Sequence, residues 1–443
     1  MERYEAYKDS GVEWIGEVPE TWSVSKIKFT STLAGRIGWQ GLTSDEYRED
    51  GPYLITGVNF RDGSINWDTC VRITEERWEE ATQIQIANGD LLITKDGTVG
   101  KVAIVDGLDD KASLNSGVLL IRHDDSYRTR YMYYLLGSSV FWDWFRYINA
   151  GNSTIIHLYQ ASFQNFAFPV PTSEEQETIT SYLDEKTAEI DSIVSETERS
   201  IELLREYRKS VISEAVTKGI DSNVPMKDSG IEWIGEMPAR WRVAKINVIG
   251  STSSGATPSV GREGDSDGAD IKWVRTLDLN DSEVSETSEY ISRRALDNSS
   301  CSIMPIDTVC VAMYGGKGTI GKYGILKAEA ATNQAVCSIV CKESLEYPKY
   351  LFYQLSAMRP YWMKSAVGTR KDPNISQDIV AKAIVLVPQL DEQISIANYL
   401  DTKTSEIDAL IADKERQVEL LKEYRKSLIS EAVTGKFKIP GVS

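Results

Sequence analysis

The chain contains the same frame twice. KDSGVEWIGEVPETW, from Lys8 to Trp22, returns 219 residues later as KDSGIEWIGEMPARW, from Lys227 to Trp241. A longer block, Pro171 to Thr217, returns from Pro388 to Thr434 at a shift of 217, with 28 of its 47 positions identical. The segments between these blocks do not repeat. Any fold must therefore hold two copies of one frame around two different inserts, and a repeat of this kind constrains architecture before any single residue does. At 443 residues the chain is also too long for one ordinary core, and its length suggests about two to four domains.

Periodicity identifies the long block. Ile190, Val194, Ile201, Leu204, Val211 and Ala215 step by 4, 7, 3, 7 and 4, which keeps them on one stripe of an α-helix. The second copy repeats the stripe as Ile407, Ile411, Val418, Leu421, Leu428 and Ala432. Between these lie Glu198, Arg199, Glu202, Arg205, Glu206, Arg208 and Lys209, a charged outer face with no Gly or Pro inside. Ser173 and Gln176 offer a capping-box start, Glu174 and Glu175 suit the helix dipole, and Gly219 and Gly435 supply stops. About 45 residues at 1.5 Å each reach roughly 65 to 70 Å, far beyond one globular core. A narrow stripe of that length needs another helix to cover it, so the two blocks are expected to pair as an antiparallel coiled coil. The competing arrangement packs each stripe on its own insert. In the short repeat, Trp14, Ile15, Pro19 and Trp22 form an apolar clamp. A pseudo-twofold relation between the halves places this first head motif beside the end of the second long helix, near Val433 to Phe437.

The inserts read as mixed α/β units. Pro52 to Val58, Asp90 to Thr94, Lys101 to Val105 and Gly117 to Arg122 are strand-like runs bounded by turn residues, followed by an aromatic-rich helical stretch from Tyr127 to Tyr147. The second insert follows the same plan: Ile271 to Val274, Asp307 to Met313, Lys322 to Leu326, Ala335 to Val340, then a helix near Pro348 to Met363. The resulting expectation is an α+β chain with two mixed α/β domains joined by two long antiparallel helices in a pseudo-twofold, circular organisation. Its segments are 1–170 (head motif 7–28), 171–220 (first long helix), 221–387 (head motif 226–247), 388–437 (second long helix) and a tail, 438–443.

Charge alone does not suggest a nucleic-acid partner, because 66 acidic and 49 basic side chains give a net of −17. Its distribution is less one-sided: Val311 to Val387 holds 10 basic against 5 acidic residues, while the first insert, Ser31 to Val170, holds 12 against 18. No apolar run approaches a membrane span and the first residues are polar, so a soluble, cytoplasmic protein is expected. The five cysteines form no CxxC, and His123 and His157 have no metal-ligand spacing, so no metal is expected.

Several motifs with catalytic outlines are better explained otherwise. Gly316, Gly318 and Gly321 satisfy GxGxxG, and Gly316 to Lys322 satisfies GxxxxGK. Yet Tyr323 stands where a phosphate-binding loop needs Ser or Thr, and a strand-like run follows instead of a helix. With DGTVGK (Asp96 to Lys101) at the matching place in the first insert, a turn between strands is the better reading. Asp184-Glu185-Lys186 and Asp401-Thr402-Lys403 read as helix-surface ion pairs. No two prolines are adjacent, so the NPPY or DPPY loop of amino-methylating DNA methyltransferases is missing. The expectation is a chain without catalytic chemistry of its own.

DSGxEWIGExPxxW at the head of each half, and PxxxEQxxIxxYLDxKTxEID...LLxEYRKSxISEAVT at each tail, resemble the specificity (HsdS-type) subunits of type I restriction-modification systems. GRIGWQGLT (Gly35 to Thr43) and GATPS (Gly255 to Ser259) resemble the openings of their target recognition domains. The resemblance covers almost the whole chain. It implies that each insert reads one half of a bipartite site in double-stranded DNA while the paired helices act as a ruler for the spacer. It also implies that the helices dock two methyltransferase subunits, which methylate adenine at N6 with S-adenosylmethionine. Two motor-nuclease restriction subunits using ATP and magnesium join them, and the cofactors belong to these partners.

Since the inserts differ, the expected target is non-palindromic. Base edges are read chiefly by Arg or Lys at guanine and Asn or Gln at adenine. On polar or glycine-rich loops, the first insert offers Arg36, Gln40, Lys95, Asn152 and Gln160. The second offers Thr257, Arg275, Lys317, Asn333, Arg370, Lys371 and Asn374. The helix interface is expected at Ile190, Val194, Ile201, Leu204, Val211, Ile407, Ile411, Val418, Leu421 and Leu428. Two other classes stay open at this point: a coiled-coil adaptor without DNA reading, and a stand-alone DNA-modifying enzyme.

Overall fold

The computed structural model describes residues 2–36, 41–150, 157–258, 269–315, 318–366 and 374–440. Its contacts form two compact units, residues 1–198 with 416–443, and residues 199–415. The division cuts through the two long helices, Ser173–Lys218 and Leu390–Val433. Each unit therefore combines a head motif, an insert, the first half of one long helix and the second half of the other. The units cross the linear segment boundaries because a helix half packs on its partner helix, not on its own continuation.

Ion pairs show how the helix halves run. In the first unit Asp191 meets Arg425 at 2.9 Å and Glu198 meets Lys422 at 2.8 Å. In the second, Asp408 meets Arg208 at 2.8 Å and Glu415 meets Arg205 at 2.7 Å. Numbers rise on one helix as they fall on the other, so the pairing is antiparallel. Adding 217 to Asp191, Glu198, Arg205 and Arg208 gives Asp408, Glu415, Lys422 and Arg425. One four-residue pattern is thus used twice, with the two helices exchanging roles.

The expected stripe lies inside. Ile190, Val194, Ile201, Ile407, Ile411, Val418 and Leu428 are buried, and Leu204, Val211 and Leu421 are half-buried. Toward its ends the stripe changes partners: Ile212, Ala215 and Val216 share a core with Met237 and Trp241 of the second head motif, with Tyr350 and Leu351 of the insert, and with Ile396 and Leu400. Helix packing and insert packing, set as alternatives by the sequence, thus occupy different stretches of one helix.

The inserts follow one plan. In the first, a sheet runs Val102–Ile104, Leu91–Thr94, Val118–His123, Ser31–Gly35, beside a smaller sheet of Ala112–Leu114, Arg48–Ile55 and Val71–Arg72. In the second, a five-stranded sheet contains Gly250–Ser254, Val336–Cys341, Val309–Ala312 and Tyr323–Leu326 in that order, with Ser282–Val284 at its edge. Its smaller sheet pairs Ala269–Val274 with Ala330–Thr332 in parallel, as Arg48–Ile55 pairs with Ala112–Leu114. Entry and exit strands close each insert: Ser23–Lys26 pairs with Ala167–Val170, and Arg242–Lys245 with Ile384–Val387. Each insert is therefore a closed excursion that delivers the chain directly to a long helix.

That delivery point corrects the expected cap. The capping box sits one residue earlier than Ser173 and Gln176: Thr172 Oγ1 accepts from Glu175 N at 3.2 Å, and Glu175 accepts from Thr172 N at 3.0 Å. Gln176 is buried and ties the helix to the insert, donating to Pro171 O and Ser126 O and accepting from Arg128 N at 2.8 Å. Gln393 makes the same set with Pro388 O, Leu345 O and Tyr347 N. A buried amide with both ends satisfied explains the repeated EQ pair.

Further anchors come from the inserts. Tyr134 donates to Asp184 at 2.5 Å beside Thr187, and Tyr353 donates to Asp401 at 2.5 Å beside Thr404. One turn earlier, Tyr131 donates to Val433 O at 3.0 Å and Tyr350 to Val216 O at 3.1 Å. Burial raises both of these phenols well above the ordinary tyrosine pKa.

The head motif is a hairpin, Tyr7–Asp9 with Glu17–Pro19 and Met226–Asp228 with Glu236–Pro238. Its DSG turn has a mechanical reason: Asp9 Oδ1 accepts from Gly11 N at 2.9 Å with Gly11 at φ +70°, and Asp228 does the same for Gly230. As expected, the first motif lies at the end of the second long helix. A Cβ on Gly435, which has φ +67°, would stand 2.5 Å from Pro19. The copies differ in how they are tied down: only the first has Trp14 Nε1 on Ala167 O and Tyr7 OH on Gly435 O among the described residues. Trp22 Nε1 donates to the buried Glu175 at 3.0 Å, whereas Glu392 pairs with Arg240 at 2.8 Å and Trp241 Nε1 is buried without an acceptor among the described residues.

Truncating the stripe should cost far more than cutting the ion pairs that flank it. Ile201→Ala is expected to lower stability by about 2 to 5 kcal/mol, and Arg205→Ala, at an exposed pair, by less than about 1 kcal/mol. Denaturant titration of both variants checks this; a larger loss for Arg205→Ala would contradict the packing account.

Candidate nucleic-acid interface

Within each insert, strand ends and the loops beyond them place some of the sequence-predicted readers on one tied cluster of loops. In the first insert, Lys95 leaves the strand Leu91–Thr94; its N–H donates to Gly117 O at 2.8 Å and its carbonyl accepts from Leu158 N at 3.0 Å. Next to it Asp96 bonds His157 at 2.5 Å. Three loops, around residues 95, 116 and 157, are thereby tied into one cluster. The second insert repeats the ties: Met313 N donates to Ala335 O at 2.8 Å, and Ile375 N donates to Met313 O at 2.8 Å.

Thr257, Arg275, Asn333 and Asn374 lie on this second cluster. Ala256 N donates to Thr332 O at 3.1 Å, and Thr257 Oγ1 bonds the Gln334 side chain. Asn333 N donates to Val274 O at 3.0 Å, while its Oδ1 accepts from Ala335 N at 2.9 Å. Arg275 follows Val274 and is engaged by Glu289 at 2.6 Å and Ser288 at 3.0 Å. Asn374 is exposed beside Ile375. Gln160 is exposed and donates to Leu33 O at 3.0 Å on the strand Ser31–Gly35. Arg36 faces inward: it is buried, with Nε on Leu114 O at 2.7 Å and Nη2 on Ser113 Oγ at 3.0 Å. Burial, with Arg77 nearby, lowers its pKa from the ordinary arginine value. Gln40, Asn152, Lys317, Arg370 and Lys371 fall outside the described residues.

The structure adds residues that sequence reasoning passed over. Asn115 is the first insert's counterpart of Asn333: its N–H donates to Ile55 O at 2.9 Å and its Oδ1 accepts from Ser116 N at 2.6 Å. The shared signal, Asn-x-small-Val at Asn115 to Val118 and Asn333 to Val336, is present in the sequence but short. Gln334 and the Asp96–His157 pair were likewise missed, because only the fold places them beside the predicted loops.

Electrostatics narrow the choice of free cations. Among the described residues of Val311 to Val387, Lys322 and Lys342 hold no carboxylate, whereas Lys327, Lys349, Arg359, Lys364 and Lys382 do. In the first insert Arg61, Arg72, Arg77, Lys111, Arg122, Arg128, Arg130 and Arg146 do so too. Lys95 and Lys101 hold none among the described residues.

Residues 19–203 and 238–420 match the type I restriction modification DNA specificity domain family. The chain is 24% identical over 438 residues to the type I restriction enzyme MjaVIII specificity subunit of Methanocaldococcus jannaschii, covering 96% of this chain and 95% of that one. It is also 24% identical over 401 residues to the EcoBI specificity subunit of Escherichia coli, covering 88% and 80%. Among solved structures, a chain from work on complex assembly and conformational transition of the type I R-M system superposes with a TM-score of 0.73 at 14% identity, covering 94% of this chain and 98% of that one. The HsdS subunit from Thermoanaerobacter tengcongensis gives 0.54 at 14%, with the same coverage. Two family domains in one chain, each on its own copy of the repeated frame, make this protein a member of the type I restriction-modification specificity subunits, with two target recognition domains.

Proposed function

We propose that each insert reads one half of a bipartite, non-palindromic site in double-stranded DNA, and that the paired helices fix the unread spacer. The observation that carries this is the contrast between plan and side chain. Both inserts tie their loops with the same backbone bonds, yet Lys95 and Asp96 in one stand where Met313 and Tyr314 stand in the other. Base edges differ in donor and acceptor pattern, so loops with different side chains select different bases. Two unlike readers on a duplicated frame give a site whose halves are unlike.

The duplicated frame also suits two copies of one partner. In this reading two methyltransferase subunits dock on it and two restriction subunits join them; the related proteins are themselves named as specificity subunits of type I restriction enzymes. S-adenosylmethionine, ATP and magnesium then belong to those partners, and the chain itself contributes specificity without catalysis in the cytoplasm. A net charge of −17 and the pairing of most insert cations leave few positive groups to neutralise phosphate. DNA affinity depends strongly on such neutralisation, so the partners supply much of it.

Methylome sequencing of a host carrying this chain and its methyltransferase should return a two-part motif with unlike halves; a palindrome would contradict the reading. In binding titrations at physiological salt, adding the methyltransferase should raise DNA affinity by at least about tenfold, given the few phosphate contacts available to the chain alone. Tight, salt-tolerant binding by the isolated chain would count against it.

A further inference from the structure

The inserts share one motif that base reading does not use. Gly97-Thr98-Val99-Gly100-Lys101 and Gly318-Thr319-Ile320-Gly321-Lys322 occupy the same place, between Leu91–Thr94 and Val102–Ile104 in one insert and between Val309–Ala312 and Tyr323–Leu326 in the other. Gly100 N donates to Thr94 O and Gly321 N to Ala312 O, each at 2.9 Å. Loops that discriminate different half-sites should differ. A tip kept alike in two inserts that differ over most of their length serves either the shared packing or something both half-sites possess.

We propose that these two hairpins grip the DNA sugar-phosphate backbone without regard to sequence, one in each unit, and so seat each recognition domain for reading by its neighbouring loops. This rests on the DNA-binding function proposed above. Packing explains part of the motif. Gly100, at φ +85°, has no room for a Cβ, which would lie 2.5 Å from Trp142 on the helix Ser139–Ile148. Gly321, at φ +74°, would place one 2.8 Å from Trp362 on the helix Pro348–Ala366. The indoles therefore hold both tips in place. Ile320 is buried and Val99 half-buried, so these positions too have structural work.

Packing does not explain the lysines. The Lys101 side chain is exposed and its ammonium bonds nothing among the described residues, while the Lys322 ammonium reaches only the neutral Asn280 side chain at 3.3 Å. Neither ammonium holds a carboxylate among the described residues, so the charge is left available where the motif keeps it. The exposed N–H groups of Gly97, Thr98 and Gly318 also have no acceptor among the described residues. Unpaired turn amides beside a lysine fit a phosphate oxygen, which accepts bonds identically from any base sequence. In the first insert Lys95 and Asp96 tie this tip to the loops at 117 and 157. A phosphate held at the tip thereby fixes the register of the readers.

The test uses the complex of this chain with its methyltransferase, fluorescence anisotropy on cognate and unrelated duplexes across salt, and methylome sequencing. Lys101→Ala and Lys322→Ala should each weaken both duplexes by a similar factor and reduce the slope of log affinity against log salt by about 1. The methylated sequence should stay the same, and Lys101→Arg should restore affinity. A changed base preference in one half-site would overturn the proposal by making the hairpin a base reader. Unchanged affinity and salt slope in the double variant would overturn it by leaving the motif a turn alone. Failure of the wild-type complex to bind DNA would instead refute the underlying function.

Discussion

A stripe of aliphatic side chains on a helix longer than any local core can cover is the constraint from which this architecture follows. Neither long helix can hide its stripe by folding back on itself, and an insert covers only the ends, where Ile212 and Val216 join the insert core. The middle has one remaining solution, the partner helix. Once the helices lie antiparallel, each end of the pair contains the start of one and the finish of the other, so each compact unit is assembled from distant stretches of sequence. Burial supplies the energy, roughly 25 cal/mol per Å² of apolar surface. The duplicated ion pairs at the edge select register and direction, since exposed pairs of this type add little stability.

Most of this frame was legible in the sequence because helical periodicity is a local property that survives without knowledge of the fold. The stripe from Ile190 to Ala215 and the strand runs at Asp90 to Thr94 and Lys322 to Leu326 all appear near their expected places. The misplaced cap shows the opposite case. Thr172 and Ser173 are both good capping residues, and the choice between them depends on where the strand Ala167–Val170 releases the chain and on what Gln176 must satisfy at Ser126 and Arg128. No local pattern contains that information. Tyr131, Tyr134, Tyr350 and Tyr353 make a similar point: they are a repeated anchor inside inserts whose sequences differ over most of their length, visible only once the helices they hold are known.

The loop residues divide by the same criterion. Residue type drew attention to Lys95 in the first insert and to Thr257, Asn333 and Asn374 in the second, which the fold places at or near strand ends. Residue type could not show that Arg36 turns inward to Leu114 and Ser113, because nothing in Gly35 to Thr43 reveals the neighbouring strand. It also passed over Asn115, whose equivalence to Asn333 rests on matching backbone bonds. In a domain built to vary its surface, the hydrogen-bond plan is a better guide to equivalent positions than side-chain identity.

The joint between head motif and long helix is bonded more fully in the first copy, where Tyr7 also donates to Gly435 O and Lys436 to Glu17 O, while Met226 and Gly219 stand at the matching places of the second. Trp22 and Glu175 close the first joint from within, whereas in the second the carboxylate of Glu392 pairs with Arg240 and the buried indole N–H of Trp241 has no acceptor among the described residues. An orphaned donor of this type costs about 1 to 3 kcal/mol. The two joints, alike in outline, are therefore unequal in the bonds that close them, and the second copy of the frame is the less firmly tied of the two.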